Sequence, residues 1–269
     1  MKNSGKTSLH SAKCVFATCL LAFAHSANAQ TWPPAPINLP NAPQPQQPVT
    51  ISELPMNLLR DQGAIWSSPV RIRYDNLSYL VPLGLAVTAA ITTDHQAMSE
   101  VVSHDPTFNN HNTTASNILV SPFIAAPVVL YSAGHFRDSD HAREAGILSG
   151  EAMLDGLVVE QGMKLIFWRE RPTLDNAKGK FFQTSVGWDS SFPSSHSVIA
   201  WSSAAVLADE YPSRWRHLGI YSVATGVSLT RVLGQQHFPS DVLVGSAFGW
   251  MVGHYVYKKH HRWHPSITH

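Results

Sequence analysis

Three short runs in the second half of the chain hold the residues best equipped for chemistry: Lys164-Leu-Ile-Phe-Trp-Arg-Glu-Arg171-Pro172, Pro193-Ser194-Ser195-His196 and Arg231-Val-Leu-Gly-Gln-Gln-His237-Phe-Pro-Ser-Asp241. The residues singled out in them are three fixed cations (Lys164, Arg171 and Arg231), two hydroxyls (Ser194 and Ser195), two histidines and a carboxylate able to orient a histidine. Such a set can hold a tetrahedral oxyanion, attack its centre and protonate a leaving group. Lys164 and Arg171 stand seven positions apart, two turns of one helix, so both are expected to project toward one site. Pro172 stops a regular helix and places Arg171 at its end. Ser194 and Ser195 precede the apolar run Val198 to Leu207, a helix start whose N–H groups and hydroxyls form an anion cradle, with His196 in the first turn. Asp241 follows His237 by four residues, near the start of the last helix. Its carboxylate is expected to take the proton of one ring nitrogen and leave the other free as base or nucleophile. Arg231 can clamp oxygens bidentately. Taken singly, each run has a plain reading: surface charge for Lys164, serine N-capping for Ser194, a buried Arg–Asp pair for Arg231 and Asp241. Their joint occurrence points to chemistry.

The elements that must position these groups read as helices. Hydrophobic periodicity predicts them over 53–62, 75–93, 116–133 (interrupted by Pro122 and Pro127), 142–168, 196–209, 214–232 and 240–258. The glycine-containing link from Pro172 to Pro193 reads as a loop over the site, and the Asn-Asn-His-Asn-Thr-Thr run at 109–114 as a polar loop. No internal repeat is present, and the expected fold is all-α, a compact helical bundle. Residues 76–93 lack charge over a length near the membrane-spanning threshold. The helix before Arg171 is charged throughout, however, and mean hydropathy is slightly negative, so the reading is a soluble or membrane-surface protein. Gly245, Gly249 and Gly253 suit close helix packing.

Residues 1–29 read as a secretory signal: Lys2, Lys6 and Lys13, an apolar stretch from Cys14 to Phe23, and Ala27-Asn28-Ala29 before the cut. Residues 30–50 are a proline-rich linker, and 51–269 form the domain. Cleavage after Ala29 implies secretion, to the periplasm of a Gram-negative cell. It removes both cysteines, which excludes disulfides and thiolate chemistry. It also removes three lysines and no acid, moving the formal charge from +1 to about −2 and leaving no global basic case for nucleic acid. His254, His260, His261, His264 and His269, with Lys258, Lys259 and Arg262, read as a solvated basic tail able to touch anionic lipid, with zinc binding as the rival reading.

Together the three runs resemble the signature of the type 2 phosphatidic acid phosphatase superfamily, shared with vanadium haloperoxidases and class A acid phosphatases. That signature is Lys-x6-Arg-Pro, Pro-Ser-Gly-His and Ser-Arg-x5-His-x3-Asp, and the match covers 164–241. The resemblance implies the phosphatase branch, with His237 as the nucleophile that becomes phosphohistidine. Asp241 would orient it, and His196 would serve as general acid and then as base toward water. Lys164, Arg171, Ser194, Arg231 and the Ser195 amide would bind phosphoryl oxygens. It implies no metal and no cofactor in the chemistry. The substrate would be a lipid phosphate, an isoprenoid pyrophosphate or a small soluble ester, and the contacts those substrates and a membrane surface. The alternatives are a vanadate-dependent haloperoxidase and a non-catalytic phosphate- or phospholipid-binding envelope protein. Thr230 and Ser195 stand where the pattern has serine and glycine. If position 195 requires a positive φ, Ser195 is strained.

Overall fold

The computed structural model describes residues 47–263, so the predicted signal, most of the linker, His264 and His269 lie outside the described residues. Seven α-helices and no strand occur among the described residues. They are α1 (Leu54–Trp66), α2 (Tyr74–Gln96), α3 (Pro106–Phe136), α4 (Asp140–Phe167), α5 (Ser195–Glu210), α6 (Arg214–Leu233) and α7 (Pro239–His260). One core joins α3, α4, α5 and α6 through Val120, Phe123, Leu130, Ala145, Ala204, Leu207 and Val227. A second joins α4, α5 and α7 through Leu148, Ala152, Val206, Val252 and Val256. The fold is an all-α bundle.

α5 and α7 touch backbone to backbone. A Cβ on Gly245 would lie 2.8 Å from the Ser194 carbonyl, and one on Gly249 would lie 2.6 Å from the Val198 carbonyl. Gly253 meets the Ser202 carbonyl in the same way one turn on. Glycine at every fourth position thus sets the spacing between the Ser194-Ser195-His196 turn and the start of α7, where His237 and Asp241 lie.

Three expectations are corrected. The run 109–114 is helical, because α3 starts at Pro106, a favoured first-turn residue, and the Asp105 side chain accepts the Thr107 N–H at 3.0 Å. Pro122 and Pro127 do not interrupt α3. Each proline leaves the carbonyl four residues earlier without its helical donor. Ser121 Oγ reaches the Ile118 carbonyl at 3.0 Å, and Ser203 Oγ of α5 reaches that of Phe123 at 3.4 Å. The histidines of the C-terminal end, where described, are not a solvated tail. His254 pairs with Asp209, His260 is buried against Asp61 and Glu151, and His261 contacts Glu144 and Glu210.

α2 is inverted relative to a helix folded in water. Its apolar side chains, including Tyr79, Val81, Leu85 and Ile91, are exposed, Leu85 by 68%. Its one buried residue is Asp94. Tyr74–Val101 and Pro106–Phe136 are long and apolar enough to cross a membrane.

Candidate active site

The three runs meet at one end of the bundle. α4 does not carry Arg171 as expected. It ends at Phe167, and Trp168 turns the chain with a left-handed φ of 36°. The chain then runs on through Arg169 and Glu170 outside the helix, so Arg171 reaches the site from a loop while Lys164 reaches it from the last turn of α4. Arg171 is held there by Asp189, at 2.9 Å from Nε, and by the Gln236 carbonyl, at 2.8 Å from Nη1.

Lys164 is buried and its Nζ lies 2.9 Å from Glu160 Oε1 and 3.0 Å from Ser195 Oγ. Ser195 Oγ donates to the same Glu160 oxygen at 2.7 Å. Ser195 opens α5 in ordinary helical conformation and is not among the positive-φ residues, so the strain considered for a non-glycine here does not arise. Ser194 Oγ and Arg231 Nε are buried with no hydrogen-bond partner among the described residues. Arg231 Nη1 donates to Ser116 Oγ at 3.2 Å. Unspent donors beside fixed cations are what an anion-binding cradle offers.

His237 is buried, and its Nδ1 donates to the Ser191 carbonyl at 2.8 Å, which leaves Nε2 as the unprotonated nitrogen of the neutral ring. The expected partner, Asp241, is 3.6 Å from Nδ1, beyond hydrogen-bond range. Its oxygens are occupied elsewhere. As an early residue of α7 it accepts the Phe238 N–H on Oδ2 at 2.9 Å, and Arg169 Nη1 holds Oδ1 at 2.6 Å. Asp241 therefore acts on His237 as a nearby charge while a backbone carbonyl orients the ring.

Burial pushes His237 down to about 4, against the opposing pull of Asp241. His196 falls to about 3, from burial first and then from the charges of Arg231, His237, Lys164 and Arg171. Burial and the nearby Arg171 lower Arg231 to about 10. The site thus holds two neutral imidazoles in a strongly positive field. All eight residues singled out from the sequence share that space.

Several neighbours carry no strong sequence signal. Arg169 lies inside the first run yet was not singled out. It is 1% exposed and binds Asp241, Ser240 Oγ at 2.6 Å and Asp94 at 2.7 Å, with its guanidinium over the rings of Phe181 and Phe238. Asn117 Oδ1 accepts from His196 Nε2 at 2.9 Å. Glu160 precedes Lys164 by one helical turn, the one signal that could have pointed to it.

A stretch of the lipid A 1-phosphatase of Porphyromonas gingivalis is 38% identical over 69 residues, 25% of this chain and 16% of that protein. The chain therefore matches well under two thirds of that relative's length. The crystal structure of a transmembrane PAP2 type phosphatidylglycerolphosphate phosphatase from Bacillus subtilis is similar with a TM-score of 0.45 and 21% identity, over 79% of this chain and 100% of that one. The model of the PAP2 superfamily matches residues 145–265, a span that takes in the three runs with the cradle and both histidines. Over those residues the chain is similar to the PAP2 superfamily.

Proposed function

We propose that this protein is a metal-independent phosphatase that cleaves a phosphate ester or pyrophosphate through a phosphohistidine on His237, with a lipid phosphate as the favoured substrate. The observation that carries the reading is the buried His237, its Nδ1 proton committed to Ser191 and its Nε2 left as a lone pair in the field of Arg171 and Arg231. In the first step Nε2 forms a bond to phosphorus while the bond to the leaving oxygen breaks, and His196 gives that oxygen its proton. In the second, His196 takes a proton from water, the water oxygen bonds to phosphorus and the N–P bond breaks. Lys164, Arg171, Arg231, Ser194 Oγ and the Ser195 N–H bind the phosphoryl oxygens, and Asp241 stabilises the charge that grows on His237.

The low value of His196 fits this cycle. Burial first, and then four positive or chargeable neighbours, keep its ring neutral in the free site. A bound phosphoryl dianion cancels their field and raises its proton affinity, so the acid is armed by the substrate itself.

Lipid specificity is supported by α2. Asp94, at its polar end, reaches Arg169, which also holds Asp241. The apolar length of α2 thus ends at the level of the nucleophile, where the phosphate of a bilayer lipid would lie. The relative's name, a lipid A 1-phosphatase, agrees with a lipid phosphate.

The test is phosphate release by the purified protein from para-nitrophenyl phosphate, phosphatidic acid, a lipid A-type 1-phosphate and an isoprenoid pyrophosphate, each with EDTA and then vanadate. Release that survives brief EDTA treatment, is blocked by vanadate and is lost in His237→Ala is the expected result. Bromide oxidation with vanadate bound, and no phosphate release from any substrate, would overturn it.

A further inference from the structure

α7 has a second charged cluster at its far end. Its 22 residues span about 33 Å, so His260 lies far from the site around His237. There Asp61 of α1, Glu151 and Asp155 of α4 and His260 of α7 are brought together, the three carboxylates each fully buried. His260 Nε2 is 2.8 Å from Asp61 Oδ2 and 3.4 Å from Glu151 Oε1. One ligand atom from each of Asp61, Glu151 and His260 lies within 4.8 Å of the other two. Ligands held at ~2.1 Å by a tetrahedral ion stand about 3.4 Å apart, which the Glu151–His260 spacing matches, while the 2.8 Å Asp61–His260 contact has to open by a few tenths of an ångström.

The carboxylates are under-satisfied. Neither Glu151 oxygen nor Asp155 Oδ2 accepts a hydrogen bond, although the Asn57 amide faces Glu151. The other neighbours are already used. Gln62 donates to Asp155 Oδ1 at 2.8 Å, and Tyr255 and Lys259 both donate to Asp61 Oδ1. Three carboxylates therefore face one ammonium and one imidazole.

We propose that Asp61, Glu151 and His260 bind a divalent cation of the zinc type, which latches α1 onto α4 and α7. With His260 as a neutral ligand, a +2 ion and Lys259 together cancel the three carboxylates. One imidazole with carboxylates, and no thiolate, suits Zn²⁺ or Mn²⁺ better than the all-oxygen Mg²⁺ or Ca²⁺. Asp155, which feels the charges of Asp61, Glu151 and His260, supplies the acceptor for a water in the fourth position. The ion is structural, and no step at His237 passes through it. The second grouping of this kind, Glu144, Glu210 and His261, is a weaker candidate because Glu144 Oε1 already accepts the Arg262 and Trp263 N–H groups.

The experiment uses the untagged full chain, stripped with EDTA, desalted and reloaded with Zn²⁺ or with Co²⁺ as a spectroscopic stand-in. One metal equivalent per chain retained through desalting, a thermal midpoint raised by several degrees and Co²⁺ d–d bands of a tetrahedral N/O site are expected. Glu151→Gln and His260→Gln should each retain less than a tenth of that metal. Trace metal and an unmoved midpoint in the wild type would overturn the proposal. So would a full equivalent kept by Glu151→Gln, which would place the ion elsewhere. If Glu151→Gln stabilises a wild type that ignores metal, the cluster is a set of proton-sharing carboxyls and the latch is ruled out. Should the variants fail to fold, the wild-type Co²⁺ spectrum decides alone.

Discussion

α7 begins among positive charges and ends among negative ones, and α4 contributes to both groups. At one end Lys164, Arg171 and Arg231 surround two neutral histidines, and buried donors on Ser194 and Arg231 are left without acceptors. At the other, Asp61, Glu151 and Asp155 surround His260, and buried carboxylate oxygens are left without donors. Each end conceals an electrostatic imbalance of the sign opposite to its ligand. The same rule, that buried charge must be met, predicts an anion in one place and a cation in the other. The ends also differ in construction. The anion site draws on loops and helix starts, which offer N–H groups, and on cations from the last turns of α4 and α6, whereas the acidic cluster draws on side chains of three helices alone.

The most damaging way to break this comparison is at His237. His237→Ala should lower kcat by about 10³-fold or more while leaving metal content at the far end unchanged, so phosphate release and metal analysis on one sample separate the two. Next is Arg169→Met, which leaves Asp94 and Asp241 buried without their cation. Denaturant unfolding should show a loss of about 3–5 kcal/mol. Gly249→Ala sets a Cβ 2.6 Å from the Val198 carbonyl and must push α5 from α7. A cost of about 1–3 kcal/mol is expected, with a fall in kcat as His196 moves from His237.

Acid affects the active-site end in a defined direction. The folded value of His237 lies below its unfolded one, from burial and from Arg171 and Arg231 against Asp241. Between pH 6.5 and about 4 the unfolded chain therefore binds the extra proton, so stability falls as pH falls across that window, by up to about 3 kcal/mol from this residue. Urea unfolding of wild type and His237→Asn at pH 7 and pH 4.5 should show a smaller acid loss in the variant. The smallest effect is expected from Ser195→Gly. It removes the hydroxyl bonded to both Lys164 and Glu160, worth about 1 kcal/mol, and should change kcat/KM by less than about tenfold.

The anion site was far more legible in the sequence than the acidic cluster. Lys164, Arg171, Ser194, Ser195, His196, Arg231, His237 and Asp241 lie in three compact runs whose spacing can be read directly. What spacing hides is the path between them. Seven residues from Lys164 to Arg171 look like two helical turns, but the left-handed Trp168 breaks the helix midway. The true partner of His237 is a backbone carbonyl, which has no letter in the sequence. Arg169 could not be recognised because Asp94 is 75 positions away. In the sequence the histidines near the chain end resemble a solvated tail, because Asp61 and Glu151, which meet His260 in the fold, are more than a hundred residues upstream. Helix existence was clear throughout, whereas the continuity of α3 depended on Ser203, a donor from another helix.

The exposed apolar length of α2 has a kinetic consequence. If the proposed lipid phosphate is the substrate, seating α2 in a lipid film turns the encounter between protein and substrate into diffusion in a plane. The relevant concentration is then the number of substrate molecules per unit of membrane, so diluting vesicles in buffer leaves the rate per bound enzyme unchanged. Diluting the substrate with inert lipid lowers it. A variant with Leu85 and Val81 made polar would have to find the same headgroup from the water, at the rate set by three dimensions.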